Sequence, residues 1–575
     1  MKPTVLVVSL VLALTASAAA QSPPPDLTGL WGATLRFGPD IRGTLFIMRT
    51  ASGWRADLAG YSVPVRADTA KLSFSLPDSA GDFRGTIVGR EIHGFWIQPP
   101  TNYNGGRYAT PVTLVPDGAS RWRGTVTPLD DHMTFYLPLT QVSPGKYGTY
   151  LRNPERNAGR FERITRVELH GDSVVLFSNT NQGERVAARG TYEDGAIWGV
   201  RLRGATYDFA RVSASTTSGF YPRGRPAARY RYSPPLQLAD GWPVASLDAV
   251  GISRDSIERF IQMLIDAPMD SLSSLQVHSI LIARHGKLVV EEYFHGYSRD
   301  VPHELRSASK TFLSVLIGAA NTAGFRIPLD APVYQTMLGT VPADLDPRKR
   351  AMTLEHLMSM AAGFECNSDS AAPRTADEDV MGEAGVHDFY RYTLNVPLNA
   401  APGDSVFYCS AEPNLAGGMV EELTGKSQID LYDRLVARPM QLGTYHLGLQ
   451  PTGEAYGGGG HNFTSRDFLK FAQLMIDGRW GTRQILSRDW VQRSRGPLRD
   501  LFPGQQYRLL WNSREYDYAG RKIRAWFAGG NGGQVSVAFP DLDLVLVLTG
   551  GNYSQPATPL WRRVYGLQDI LAAVR

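Results

Sequence analysis

The stretch that decides the reading is Glu304 to Gly324, ELRSASKTFLSVLIGAANTAG, in which Ser307-Ala308-Ser309-Lys310 forms an S-x-x-K tetrapeptide. It sets a hydroxyl and an amine one helical turn apart, as an acyl-enzyme hydrolase needs. The tetrapeptide alone is a weak signal, because Ser143-Pro144-Gly145-Lys146 repeats it in a strand-rich region. That copy carries Pro-Gly and reads as a turn. Ser307 instead opens an apolar run through Phe312, Leu313, Val315, Leu316 and Ile317 that reads as a buried helix. A serine hydroxyl is a poor nucleophile without a nearby base. A lysine serves as that base only when neutral, a state that burial favours. Backbone amides at the start of a helix can also hold developing negative charge.

Outward from this stretch, residues 244–575 read as one mixed α/β unit. SRDSIERFIQMLID is an amphipathic helix, and HSILIARHGKLVVEEYFHG is two strands joined at Arg284-His285-Gly286-Lys287. Helical segments follow, and RAWFAGGNGGQVSVAFP with LDLVLVLTGG closes the unit with two more strands. Strands at both ends of a helical middle predict one mixed α/β domain whose terminal strands share a sheet. Residues 25–213 read as all β, a sandwich or barrel, with short runs such as GTLFIMR, KLSFSLP and EIHGFWIQ between Gly, Pro and Asp. KLSFSLP is echoed by SVVLFSN and FRGTIVGREIHGFW by RVAARGTYEDGAIWGV, at an offset of roughly 90–105 residues, suggesting two repeats of about 90. Residues 214–243, rich in Pro, Arg and Gly, read as a linker. The polar, aperiodic segment Tyr150-Leu151-Arg152-Asn153-Pro154-Glu155-Arg156-Asn157 reads as a surface loop or as a contact with the second unit or a substrate.

At 575 residues the chain exceeds one core. A formal net charge of +4, with only a local excess at Arg223, Arg225, Arg229 and Arg231, leaves no nucleic-acid footprint. Residues 1–20 have the form of a secretory signal, a basic start, an apolar core and Ala18-Ala19-Ala20 at the end. The expectation is an exported protein, periplasmic or extracellular, without a transmembrane span in its mature part. In that compartment Cys366 and Cys409, the two cysteines, can pair. The bridge contributes about 4 kcal/mol in the chain-entropy model. No cluster has metal-ligand spacing, and neither metal nor cofactor is expected.

With S-x-x-K, the segment APGDSVFYCSAEPNLAGGMVEELTG, TLEHLMSMAAGF and GGGGHNFTSRDFLKFAQLMIDGRW, the chain from about residue 240 to 575 resembles the serine β-lactamase and penicillin-binding-protein superfamily. It is most similar to the class C β-lactamase-related esterases and amidases, including the 6-aminohexanoate-dimer hydrolases. The resemblance implies an antiparallel sheet with a helical domain, Ser307 as nucleophile, Lys310 as base, and Tyr408 as the partner of Lys310 in moving the proton. It gives Ser410 a weaker role, donating to Lys310 or substrate. The superfamily's late K-T-G is absent. Asn531-Gly532-Gly533-Gln534 stands in its place, where the uncharged Asn531 argues against recognition of a penicillin-type carboxylate, and the resemblance makes the Gln534 backbone amide the second oxyanion donor beside that of Ser307. His461, after four glycines, is a further candidate for facing the pocket, whereas Glu365 and Asp369 read as solvated.

The expected function is thus a serine hydrolase acting on esters or small linear amides. A D-amino-acid peptidase or weak β-lactamase is the alternative enzyme. A non-catalytic ligand or cell-wall binding protein on the same scaffold is the alternative outside enzymes. The partner is a small ester, amide or peptide.

Overall fold

Along Val277–Arg284, Ile280 and Ile282 join one hydrophobic cluster while Leu281 and Ala283 join another. Successive strand residues point to opposite faces, so this strand belongs in a sheet covered on both sides. The computed structural model, which describes residues 25–102, 105–213, 215, 217–367, 375–376 and 385–575, places it there. The sheet has eight strands, in spatial order Lys287–Tyr293, Val277–Arg284, Leu544–Gly550, Gln534–Phe539, Arg521–Gly530, Trp511–Tyr518, Gln505–Arg508 and Arg499–Phe502. Every neighbouring pair is antiparallel, and Leu281 faces Val547, so the first and last segments of the unit lie side by side.

One face is covered by the helix Arg254–Ile265, started by Ser253, whose hydroxyl accepts from the Ser256 amide. It buries Ile257, Phe260, Ile261 and Leu264 in the same cluster as Ile570 and Leu571 of Gln568–Ala573. The opposite face carries Ser465–Asp477, capped by Thr464, and Thr311–Thr322. The first ten residues of Thr311–Thr322 are all buried, as an apolar-all-round helix must be.

The all-β region forms two closed barrels. In one, Gly29–Gly38 pairs on one side with Asp131–Ser143 and on the other with Ala205–Arg211, closing a ring of eight strands. The other runs from Gly43–Thr50 to Arg121–Val126 and closes where Val115 faces Arg123. KLSFSLP and its echo SVVLFSN thus lie in different barrels. A ninth strand, Leu447–Leu449, comes from the α/β unit and pairs with Arg107–Pro116, Gly448 opposite Tyr108.

Two segments, read as a linker and as either a surface loop or a contact with the second unit, are packed into the fold. Within the expected linker, Tyr230, Tyr232 and Trp242 are buried. Tyr230 donates to Glu292 at 2.5 Å and Tyr232 to the Val289 carbonyl at 2.9 Å. Aromatic residues among the Pro and Arg supply anchors that a composition-based reading overlooks. Arg152, Asn153 and Asn157 are likewise fully buried, and Asn157 Nδ2 donates to the Tyr553 carbonyl at 2.8 Å across the two units. The signal-like stretch 1–20 and Asp369 lie outside the described residues. Among the described residues no helix is long and apolar enough to cross a membrane.

Trp242 stands edge-on to Trp480, centroids 4.8 Å apart, and donates to the Arg466 carbonyl at 3.1 Å. Trp242→Ala is expected to destabilise the α/β unit by about 3–5 kcal/mol, read as a shift of its urea midpoint. A change within about 0.5 kcal/mol, typical of an exposed surface position, would contradict a packed strap.

Candidate active site

Ser307 and Lys310 lie on a 3-10 turn, Arg306–Lys310, that leads into Thr311–Thr322. Positions three apart eclipse in a 3-10 helix, which brings the two side chains together. Lys310 Nζ donates to Ser307 Oγ at 3.0 Å and to the Gly458 carbonyl at 2.5 Å. Lys310 is buried while Ser307 is partly open. The preceding Arg306 has φ 48°, a left-handed conformation rare outside glycine and a form of strain that gathers at functional sites.

Two glycines allow other chain segments to touch this turn. A Cβ at Gly530 would lie 2.4 Å from the Leu305 carbonyl oxygen and 2.9 Å from the Ala308 nitrogen. At Gly459, φ +127°, it would lie 2.8 Å from the Arg306 carbonyl oxygen. The glycine run 457–460 therefore serves the site through its backbone. His461 behind it is fully buried and does not line the cleft, which corrects the expectation that it faces the pocket. Its Nδ1 accepts from the Gly448 amide at 3.0 Å and its ring stands edge-on to Phe312. Burial, reinforced by the nearby Lys310 charge, depresses its pKa to about 3, so the imidazole stays neutral.

Tyr408 is half-buried, its ring centroid 4.9 Å from Lys310 Nζ. The next residue, Cys409, is disulfide-bonded to Cys366 with Cα atoms 5.7 Å apart, pinning the tyrosine segment. Ser410 is buried at the start of Ala411–Thr424 and does not line the cleft. Glu365, read as solvated, is buried next to the Cys366–Cys409 bridge.

Asn531-Gly532-Gly533 joins Arg521–Gly530 to Gln534–Phe539, with Gly530 opposite Gln534. Asn531 is exposed, and its side chain both donates to Ser554 Oγ at 2.9 Å and accepts from the Ser554 amide at 2.6 Å. Gly532 and Gly533 have φ near +95°, and a Cβ at Gly533 would fall 2.1 Å from Tyr565 Oη. Gln534 lines the cleft, while its side chain is committed to Gly550 in two hydrogen bonds of 2.7 and 3.1 Å.

These elements border a cleft of about 1550 Å³ that holds Ser307, Tyr408, Gly458 and Gly530. The β region contributes Tyr108 and Arg156 to the same wall. Arg156 pairs with buried Glu304, three residues before the serine, and Arg306 Nε approaches the same carboxylate at 3.1 Å. Of the two readings of segment 150–157, surface loop or contact with the second unit or a substrate, the contact is the one observed. Among the described residues no His, Cys, Asp and Glu group is arranged to hold a metal ion.

A sequence model of the family described as Beta-lactamase matches residues 265–567. The 6-aminohexanoate-dimer hydrolase of Paenarthrobacter ureafaciens is 23% identical over 289 residues, 47% of this chain and 69% of that protein. Among solved structures, a penicillin-binding-protein homologue from Caulobacter crescentus is 15% identical, covering 58% of this chain and 99% of its own, with TM-score 0.44. A family VIII carboxylesterase is 16% identical with the same coverage and TM-score 0.43.

Two residues beyond Ser410, the fully buried Glu412 accepts from the Ala362 amide at 3.3 Å. Burial raises its pKa well above the usual 4.5. The folded protein keeps this proton where the unfolded chain releases it, so its contribution is complete below pH 4.5 and declines as pH rises toward the folded value. Glu412→Gln, neutral at every pH, is expected to gain stability relative to wild type between pH 5 and pH 8 in urea titrations. An identical difference at the two pH values would contradict a protonated Glu412.

Proposed function

Because the chain belongs to the Beta-lactamase family of serine hydrolases, we propose that it is an exported hydrolase working through an acyl-enzyme on esters or small linear amides. The observation that carries this reading is the 3.0 Å contact between Lys310 Nζ and Ser307 Oγ, with the Tyr408 ring beside the same amine. In the acylation step the Lys310 amine, acting as the base, takes the Ser307 proton as Oγ attacks the substrate carbonyl. Tyr408 then relays a proton to the leaving group, and water attacks the acyl-serine to release the acid and restore the hydroxyl. The backbone amides of Ser307 and Gln534 hold the oxyanion, and Gly530 lets the second strand approach closely enough to share that task. Esters and linear amides are favoured over β-lactams because the uncharged Asn531 stands in the K-T-G position and is bonded to Ser554. Export accords with the Cys366–Cys409 bridge, since disulfides persist in oxidising compartments.

A fluorophosphonate probe is expected to add one adduct to the wild type by intact mass, mapped by peptide sequencing to Ser307, and none to Ser307→Ala. With p-nitrophenyl esters, Tyr408→Phe is expected to lower kcat by about 10²–10⁴, the range for loss of a proton-transfer group. An adduct on another residue, or ester turnover surviving in Ser307→Ala, would overturn the assignment.

A further inference from the structure

The described lining of the cleft that opens on Ser307 is cationic. Five arginines line it, Arg107, Arg156, Arg306, Arg514 and Arg562, and among its described lining residues Glu304 is the only carboxylate. Arg107 is neutralised from outside by Asp82 at 2.7 Å. Arg156 and Arg306 share Glu304, two guanidiniums against one carboxylate. Arg514 is held by a bond to the Tyr565 carbonyl at 3.1 Å and by stacking on Tyr516 at 4.4 Å, contacts that fix the guanidinium without cancelling its charge. Arg562 lies exposed on the helix Pro559–Tyr565. No ion pair among the described residues engages Arg514 or Arg562.

Like charges gathered in one concave wall repel one another and raise the local concentration of counter-ions. Arginine also matches the two oxygens of a carboxylate in a bidentate pair. The wall contains apolar surface as well, since Phe161 and Phe502 line it and are 65% and 46% exposed. Charge and apolar surface together describe an amphipathic anion.

Building on the acyl-enzyme reading above, we infer that the substrate has an apolar body ending in a carboxylate, which Arg514 and Arg562 recognise away from Ser307. This places positive charge elsewhere than position 531, where the side chain is neutral and bonded to Ser554. The barrel's Arg156 adds to the same field.

Three p-nitrophenyl esters of matched length test it: the acid-terminated adipate monoester, the neutral hexanoate and the cationic 6-aminohexanoate. The acid-terminated ester is expected to exceed the neutral one in kcat/KM by about ten-fold at low salt, with the cationic ester slowest and the preference shrinking as salt screens the charges. Arg514→Gln and Arg562→Gln should each lower the acid-to-neutral ratio, whereas Arg185→Gln, at an exposed arginine that does not line the cleft, should leave it unchanged. Because Arg514 packs on two aromatic rings, the exposed Arg562 keeps the test valid if Arg514→Gln fails to fold. Binding of adipate against hexanamide to Ser307→Ala by calorimetry supplies a readout independent of turnover. If the wild type hydrolyses no ester, the acyl-enzyme reading fails and the calorimetry alone decides the anion preference. Equal rates for all three esters, or preference for the cationic one, would overturn the inference, as would equal binding of adipate and hexanamide.

Discussion

The site depends on how closely backbone can approach the turn that carries Ser307. At position 530 even one methyl group would collide with the Leu305 carbonyl and the Ala308 amide, and at 459 with the Arg306 carbonyl. Glycine at both places lets a strand end and a loop press on the turn from two directions. The loop's contribution is polar, because the Gly458 carbonyl accepts from Lys310 and so helps to aim the amine at the serine hydroxyl. Glycine gives up more chain entropy on folding than any other residue. Its repeated use here shows that contact geometry outweighs that loss.

The β region is tied to the same turn by electrostatics. Buried Glu304 would be a liability alone, since an ionised carboxylate out of water is costly unless paired. Arg156 from the β region and Arg306 beside Ser307 supply that pairing. Removing one member of a buried pair destabilises far more than the pair itself contributes, and this pair joins the β region to the turn that carries Ser307.

The parts legible in the sequence were those with local causes. S-x-x-K, the apolar run after it, and the closing strand pair each reflect spacing within a few residues, and the observed α/β sheet follows them. The pairing of Cys366 with Cys409 was legible because only two cysteines exist. What escaped was set by distant contacts. His461 resembled a site residue because it follows a glycine run, yet its neighbours Gly448 and Phe312 draw it inward. Glu365 looked like surface and is buried, and Arg156 gave no sign of its partner Glu304, 148 positions along the chain and reached only through the fold.

The short strand Leu447–Leu449 has a mechanical consequence. It is stitched onto the barrel strand Arg107–Pro116, and His446 just before it bonds Thr110 at 2.7 Å. The chain then doubles back, the Tyr456 backbone amide donating to the Gly448 carbonyl at 2.8 Å, and two residues later reaches the carbonyl that accepts from Lys310. The barrel strand and the Lys310 amine are thereby joined by one short run of hydrogen-bonded chain. A cut made where the sequence changes character would leave the strand Leu447–Leu449 without the barrel strand it pairs with.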